Sequence, residues 1–238
     1  MMAQVKVYAG QVELADAAAG HILELANAAL ADQGHFSFAL AGGSTPRLVY
    51  KLLGGADLDW ENIHLFWGDE RCVPPDHPDS NYRMVRESLL EHIQIPQANI
   101  HRIYGELPPE QAAAQYERDL HNFFPGDRSF DLVLLGMGTD GHTASLFPGS
   151  PALDIDKRWV AAVEHKGPPA PLVDRISLTL PAINAARNVT FLVSGAGKNK
   201  RIQDVLVAPP DAKPLFPVQY IRLRSGTLLW LLDQAAAG

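Results

Sequence analysis

An acid and a histidine stand two positions apart in a glycine-rich turn that follows a largely apolar segment. The turn, residues 136–142, reads GMGTDGH and contains Asp140 and His142. A histidine can accept a proton near neutral pH, and a neighbouring aspartate can orient it or stabilise its charge. Glycine lets a backbone approach a ligand closely, so Gly141 is expected to border that ligand. The turn therefore predicts base chemistry at His142. A histidine that only begins a helix and caps a loop is the alternative.

The same glycines also fit the spacing of a dinucleotide-binding fingerprint. Residues 136–141 spell GxGxxG after a predicted strand, and Asp156 follows about 20 residues later. That fingerprint requires a full helix after the glycines and then a second strand. Pro148 and Pro151 end any helix within about two turns of His142. We therefore expect a functional site here that does not bind a dinucleotide.

A second glycine-rich turn follows the apolar segment 36–40 and has the composition of an anion cradle. The residues that form the cradle are Gly42, Gly43, Ser44 and Thr45. Pro46 suits the first turn of the next helix, whose free N–H groups and positive dipole end attract phosphate. Because serine and threonine are also common helix caps, a capped helix without a ligand is the alternative.

Lys198 adds a cation at another strand-to-helix turn. It lies three residues after Gly195 in the segment SGAGK, residues 194–198, which follows a strand predicted for 188–193. A lysine in a first helical turn is commonly just solvated, but two such turns in one sheet favour a phosphate site. The segment is not a P-loop, because it lacks the spacing and the following Ser or Thr.

A charged triplet, Asp69-Glu70-Arg71, follows the strand predicted for 63–67. These side chains could contact a substrate, or they could form ion pairs that only hold the loop. The adjacent Cys72 is predicted to be a packing residue rather than a nucleophile. The chain has no GxSxG elbow and no HExxH or similar ligand set. The chemistry is therefore expected to use activated water and to need no metal or other cofactor.

Strands and helices that would position these turns alternate along the chain. Strands are predicted near 5–8, 36–40, 63–67, 130–135, 175–180 and 188–193, and helices near 12–31, 46–53, 81–92, 109–123 and 198–206. The alternation predicts an α/β fold with an open, mainly parallel sheet flanked by helices on both faces. Ligands bind at the carboxyl ends of the strands in such sheets, and all four motifs fall there.

Length and composition restrict the class of protein. The 238 residues, 47% of them hydrophobic, can bury a large core, and no linker divides them, so one domain over 1–238 is expected. A net charge of −7 argues against a nucleic-acid partner. No apolar run is long enough for a membrane span, and no signal peptide is recognisable. We expect a soluble cytoplasmic protein, a monomer or weak homodimer, with no membrane partner and a small-molecule ligand.

Four segments, taken together, resemble the glucosamine-6-phosphate isomerase/6-phosphogluconolactonase family. They are LAGGSTP at 40–46, FWGDERCVP at 66–74, LLGMGTDGHTASLFPGS at 134–150 and VSGAGK at 193–198, in that order. With PAIN at 181–184 and WLLD at 230–233, the resemblance covers most of the chain. It implies the fold shared with glucosamine-6-phosphate deaminase and ribose-5-phosphate isomerase, with small additional strands. It also implies hydrolysis of a sugar-phosphate lactone, 6-phospho-D-glucono-1,5-lactone, in the pentose phosphate pathway.

The resemblance implies roles for individual residues. His142 would be the base, and Arg71 a substrate or oxyanion contact. The implied phosphate contacts are Ser44, Thr45, Lys198 and Arg175. Asp69 matches a position that is an acid in the related deaminases as well, and either Asp69 or Asp140 could be the acid partner of His142.

One departure from the deaminases bears on the reaction. They carry a Glu five residues after the histidine, which assists opening of the sugar ring, whereas this chain has Phe147. An apolar ring cannot relay protons, so lactone hydrolysis is favoured over aldose–ketose isomerisation. A deaminase or isomerase and a catalytically silent sugar-phosphate sensor are the alternatives.

Overall fold

Strands and helices alternate along residues 4–126, 129–207 and 213–238, which are the residues that the computed structural model describes. The strands are β1 (Gln4–Tyr8), β2 (Phe36–Leu40), β3 (Ile63–Trp67), β4 (Asp69–Arg71), β5 (Ile100–His101), β6 (Leu132–Leu135), β7 (Val160–Val163), β8 (Arg175–Leu178), β9 (Asn188–Val193) and β10 (Thr227–Asp233). The α-helices are α1 (Gln11–Gln33), α2 (Ser44–Leu53), α3 (Asn81–Ser88), α4 (Pro109–Phe123), α5 (Leu180–Ala185), α6 (Asn199–Leu206) and α7 (Gln234–Ala237).

A seven-stranded sheet in the order β1-β10-β9-β6-β2-β3-β5 forms the centre of the fold, and its neighbouring strands run parallel. Every residue of β2 and β6 is buried. Because successive side chains of a strand point to opposite faces, this burial means that both faces are covered. The buried apolar core extends from Leu14 in α1 to Ala236 in α7. The predicted open, mainly parallel α/β sheet is confirmed.

A smaller antiparallel sheet, β4-β8-β7, stands beside the central one and supplies the small additional strands that were expected. Gly68 is the residue where the chain passes between the two sheets. Its N–H donates to the Leu40 carbonyl at 2.9 Å, and its own carbonyl accepts from the N–H of Leu178 at 2.8 Å. Gly68 thus links the end of β3 in the central sheet to β4 in the small sheet, the strand that contains Asp69 and Arg71.

Two predicted boundaries differ from the structure. The strand predicted for 175–180 ends at Leu178, because Thr179 is the N-cap of α5 and a proline occupies the first turn of that helix. The helix predicted for 81–92 ends at Ser88, whose hydroxyl donates to the Met84 carbonyl one turn earlier, at 2.6 Å. A separate 3-10 turn, Leu90–His92, completes that segment.

Four neighbouring strands, β9, β6, β2 and β3, bring the predicted motifs to the same edge of the central sheet. They end at Val193, Leu135, Leu40 and Trp67. Because the strands are parallel, their carboxyl ends point the same way, and the turns that follow them lie next to one another. No helix within the described ranges is both long enough and apolar enough to cross a membrane.

Candidate active site

A cavity of about 230 Å³ opens at this edge of the sheet. Its lining includes seven of the predicted residues: Gly42, Gly43, Asp69, Arg71, His142, Arg175 and Lys198. The other four predicted residues lie outside the lining: Ser44, Thr45, Asp140 and Gly141. Of these, Asp140 contacts His142. Three cationic side chains and one carboxylate line the cavity, so it suits an anionic ligand although the chain is acidic overall.

The turn after β6 holds Asp140 and His142 against each other. Nδ1 of His142 lies 2.6 Å from Oδ1 of Asp140, and the backbone N–H of His142 donates to the same oxygen at 3.1 Å. The N–H of Gly138 closes the turn by donating to the His142 carbonyl at 2.8 Å. Gly141 adopts a φ of 82°, a conformation that favours glycine. The acid partner of His142 is therefore Asp140 and not Asp69.

This contact determines which nitrogen of His142 carries a proton. Burial alone would raise the pKa of Asp140, but the hydrogen bond from His142 and its charge outweigh burial and bring the pKa below its usual value. An ionised carboxylate only accepts hydrogen bonds, so Nδ1 of His142 must be the donor. In the neutral ring Nε2 then keeps its lone pair, which is what a general base requires.

Asp69 belongs to a different hydrogen-bond network. Its carboxylate accepts from the Ser145 hydroxyl at 2.6 Å and from the Asn81 side-chain amide at 3.2 Å. The Asn81 amide also donates to the Asp69 backbone carbonyl at 2.9 Å. All three side chains are buried and line the cavity. These hydrogen bonds hold the Asp69 carboxylate in place without involving His142. Ser145 and Asn81 are further members of the candidate site.

Arg71 and Arg175 lie opposite each other on β4 and β8. Their guanidinium groups bond to backbone carbonyls: Arg71 to Asp79 at 2.6 Å, and Arg175 to Val173 at 3.0 Å and Pro171 at 2.8 Å. Within the described ranges neither forms an ion pair, and the buried Nε–H of Arg71 has no acceptor. Burial, and then the charge of Arg71, lower the pKa of Arg175. Two neighbouring cations that form no ion pair with any described residue make this wall of the cavity electropositive, although the charges of Asp69 and Glu70 act on Arg175.

Glu70, the middle residue of the charged triplet, holds the loop rather than the ligand. Four groups donate to its carboxylate: the backbone N–H groups of Arg71, Asn81 and Tyr82, each at 2.7 Å, and the hydroxyl of Ser80 at 3.0 Å. Burial raises the pKa of Glu70 to about 7 against the opposing effect of these backbone hydrogen bonds. Among the described residues Glu70 therefore fixes the start of α3 through hydrogen bonds rather than the ion pairs that were the alternative, while Asp69 and Arg71 line the cavity.

The two turns predicted to bind phosphate touch each other. Thr45 Oγ1 lies 2.8 Å from Ser194 Oγ, which connects the start of α2 to the turn after β9. Gly43, with a φ of 106°, is the N-cap of α2, and among the described residues no side chain caps this helix. Lys198 faces the cavity from the second turn. Burial lowers its pKa, and the charge of Asp140 opposes that shift.

Aromatic rings form the wall beside His142. The ring of Phe147 lies 4.8 Å from the imidazole of His142 and stacks at 4.2 Å on that of His165, measured between ring centroids. Nε2 of His165 donates to the Pro169 carbonyl at 2.7 Å, and Pro169 itself lines the cavity. The position of Phe147 next to the proposed base agrees with its interpretation as an apolar replacement for a proton-relaying carboxylate. No sequence signal singled out His165.

The segment after His142 contains turns and not a helix. An isolated bridge pairs Thr143 with Leu146, Ala144 has a φ of 46°, and a 3-10 turn follows at Pro151–Asp154. The helix that a dinucleotide fingerprint requires is therefore absent from this described segment.

Fold and site together define the class of protein. A family model described as glucosamine-6-phosphate isomerases/6-phosphogluconolactonase matches residues 9–230, and the chain belongs to this family. It is 45% identical over 214 residues to a 6-phosphogluconolactonase of Synechocystis, covering 87% of this chain and 86% of that protein. A 6-phosphogluconolactonase of Nostoc is 43% identical, covering 99% and 98%. A solved 6-phosphogluconolactonase structure from Trypanosoma brucei matches with a TM-score of 0.89 and 34% identity, covering 99% and 97%.

Proposed function

We propose that this chain hydrolyses the ring ester of 6-phospho-D-glucono-1,5-lactone to 6-phospho-D-gluconate, a step of the oxidative pentose phosphate pathway. The observation that carries the proposal is the 2.6 Å contact between His142 and Asp140 at the edge of a cationic cavity. This arrangement provides an oriented base beside a binding site for an anion. Identity of 43–45% to 6-phosphogluconolactonases over most of the chain supports the same reaction.

In this reaction Nε2 of His142 removes a proton from water as the water oxygen attacks the lactone carbonyl carbon. Asp140 stabilises the imidazolium that forms and keeps the ring in its orientation. The bond between that carbon and the ring oxygen then breaks, and His142 returns the proton to the departing oxygen. One water is thereby added across the ester, and the base is regenerated. A general base typically contributes about 10²–10⁴-fold.

Binding groups complete the site. The guanidinium of Arg71, which lines the cavity, is suited to stabilise the oxyanion, and one such donor contributes roughly 10²–10³-fold. The proposed phosphate contacts are Lys198, Arg175 and the start of α2 at Ser44 and Thr45. A phosphate held away from the reacting carbon fixes the orientation of the lactone and lowers the entropic part of the barrier.

The rival reaction within the family is deamination or isomerisation of an amino-sugar phosphate. Ring opening in that reaction needs a proton relay, and the residue beside His142 is Phe147. A silent sensor would bind the phosphosugar without turnover. Binding alone does not require a histidine oriented by a carboxylate, so the His142–Asp140 contact favours an enzyme.

Consumption of freshly generated lactone, coupled to 6-phosphogluconate dehydrogenase, tests the proposal against the spontaneous background. Wild type is expected to accelerate hydrolysis. His142→Ala should lose turnover with little change in affinity for 6-phosphogluconate, whereas Lys198→Ala should chiefly weaken binding. His121→Ala is the matched control, since this histidine on α4 is 55% exposed and lies outside the cavity lining.

Each contrary outcome identifies a different error. Wild-type turnover in His142→Ala would overturn the assignment of the base. No acceleration by wild type, with phosphosugar binding intact, would favour the sensor. Ammonia released from glucosamine 6-phosphate would favour the deaminase.

We also propose that the chain acts in the cytoplasm as one domain and as a monomer or weak homodimer. The buried core runs from Leu14 to Ala236 without a second core, among the residues that the structure describes. The free thiol of Cys72 fits a reducing compartment. Light scattering at the concentration of the activity assay measures the mass of the active species, which we expect to be that of one chain or of a weak dimer.

A further inference from the structure

The backbone turn that carries Asp140 is held from outside the cavity, by residues that no motif singled out. On one side of Asp140 the carbonyl of Thr139 accepts a hydrogen bond from Nε of Arg201 at 3.1 Å. On the other side the carbonyl of Gly141 accepts from the backbone N–H of Val218 at 3.1 Å. The peptide group between Thr139 and Asp140 and the one between Gly141 and His142 are therefore each fixed by a segment distant in the sequence.

Arg201 projects from α6 and is itself held on three sides. Its guanidinium carbon lies 3.7 Å from the centroid of the Phe216 ring, within the range of a cation–π contact. Its Nη1 donates to Asp204 Oδ2 at 3.0 Å, one helical turn further on. Only 20% of the Arg201 side chain is exposed. The Nε–H that points to Thr139 is thus oriented by the ring beneath it and by the ion pair.

Phe216 completes the contact by packing against Gly141. A Cβ placed on Gly141 would lie 2.7 Å from Cβ of Phe216, so the backbone of the turn and this side chain are in direct contact. The side chain of Gln219 holds the Phe216 segment, because its Oε1 accepts from the N–H of Phe216 at 3.1 Å. Arg201 and Phe216 form a clamp on the turn, which we call the turn clamp.

We propose that Arg201 is a positioning residue for the hydrolysis, which acts through the turn clamp by holding Asp140 where its carboxylate meets Nδ1 of His142. This inference rests on the proposed function only for its effect on turnover. Its structural content, that Arg201 maintains the Asp140–His142 contact, is independent of which reaction the site performs.

The expected consequence is a loss of turnover rather than of binding. Arg201 lies outside the cavity lining, so removing its donor does not remove a substrate contact. A small displacement of the acid weakens the orientation of the base, and a misplacement of about 1 Å can cost about 10²-fold in rate. Arg201→Met is expected to lower kcat roughly 10- to 100-fold, with KM nearly unchanged.

Kinetics of Arg201→Met, Arg201→Lys and the control Lys200→Met, each with its urea unfolding curve, provide the first test. Lysine keeps a donor that can reach the Thr139 carbonyl, so Arg201→Lys should recover part of kcat. Lys200 is the exposed neighbour on the same helix and should behave as wild type. The variants are then combined with Asp140→Asn. If Arg201 acts through Asp140, Arg201→Met should have little further effect in that background, whereas an unrelated structural effect would be additive.

A readout independent of turnover separates failure of this inference from failure of the proposed function. The ¹⁵N signals of the His142 imidazole report which nitrogen is protonated. Wild type should show the Nδ1–H tautomer, and Arg201→Met should show a mixture that approaches that of Asp140→Asn. Wild-type kcat in Arg201→Met, additive losses in the double variant, or an unchanged His142 tautomer would each overturn the inference. Absence of lactonase activity in wild type would refute the reaction, and the tautomer would still decide the role of Arg201.

Discussion

An alanine at Gly138 is expected to separate the two residues that carry the proposed chemistry. A Cβ at this position would overlap Nδ1 and Cε1 of His142 and Oδ1 of Asp140. The backbone itself can accept alanine, since φ of Gly138 is not in the left-handed region. The conflict is therefore only steric, and one of the two side chains must move away.

The size of the effect follows from the contact that is lost. A hydrogen bond to a charged group contributes about 1.5–3 kcal/mol. If that stabilisation of the imidazolium is absent in the transition state, kcat falls roughly 10- to 150-fold, since about 1.4 kcal/mol corresponds to tenfold. Inserting a methyl group into a packed turn also lowers the free energy of unfolding by about 1–3 kcal/mol.

The coupled lactonase assay measures kcat and KM of Gly138→Ala, and urea unfolding measures its stability. The ¹⁵N signals of His142 show whether the Nδ1–H tautomer persists. Gly136→Ala is the steric control in the same turn, because no heavy atom lies within 4 Å of its Cβ, and it should keep the wild-type tautomer. Gly138→Ala that retains both wild-type kcat and the Nδ1–H tautomer would refute the reasoning.

Three further outcomes follow. Burial, reinforced by a neighbouring histidine in each case, lowers the pKa of His64 and brings that of His101 from 6.5 to about 4. Between pH 6.5 and about 4 the unfolded chain therefore binds more protons than the folded one. The free energy of unfolding should fall by about 1–2 kcal/mol as the pH drops through this range, after allowance for the partial exposure of both rings. The double variant His64→Phe/His101→Phe should lose this pH dependence of stability, as measured by urea unfolding at several pH values. Arg175→Met should weaken 6-phosphogluconate binding roughly 10- to 150-fold in calorimetry, since it removes a charged donor from the cavity wall; unchanged affinity would exclude Arg175 from the phosphate site. Phe147→Glu should lower lactone turnover about tenfold or more, because it replaces the apolar ring that contacts the base, whereas Phe147→Tyr should retain activity.

The turn that carries Asp140 and His142 could be located from the sequence, because its geometry depends on few residues, but the choice between Asp69 and Asp140 as partner of the histidine stayed open. Asp140 and His142 are two positions apart, and the glycines around them restrict how the turn can close. The meeting of all four motifs at one edge also followed from local signals, since parallel strands must present their carboxyl ends together. Local sequence patterns were therefore sufficient to locate the turn that carries the proposed base and the two turns that are proposed to bind an anion.

Contacts between distant segments could not be predicted in this way. Asp69 bonds to Ser145, which lies 76 positions away, and nothing near either residue indicates the partner. Arg71 faces Arg175 because β4 and β8 pair in the small sheet, a pairing that depends on tertiary packing. Strand β10, TLLWLLD, is a short apolar run, and periodicity alone does not distinguish such a run from a buried helix.

The start of α6 connects binding to catalysis in the proposed reaction. Lys198 enters the cavity as a proposed phosphate contact, and Arg201, three residues later, donates to the turn that carries Asp140. The turn before the helix is fixed by Asp233, whose carboxylate accepts from the N–H of Gly195 at 3.0 Å. A shift of this helix would therefore move Lys198, the proposed phosphate contact, and Asp140, the partner of the proposed base, together. Substitutions that remove the hydrogen bond from Gly195 to Asp233 should both raise KM and lower kcat, whereas a change at Arg201 alone should lower only kcat.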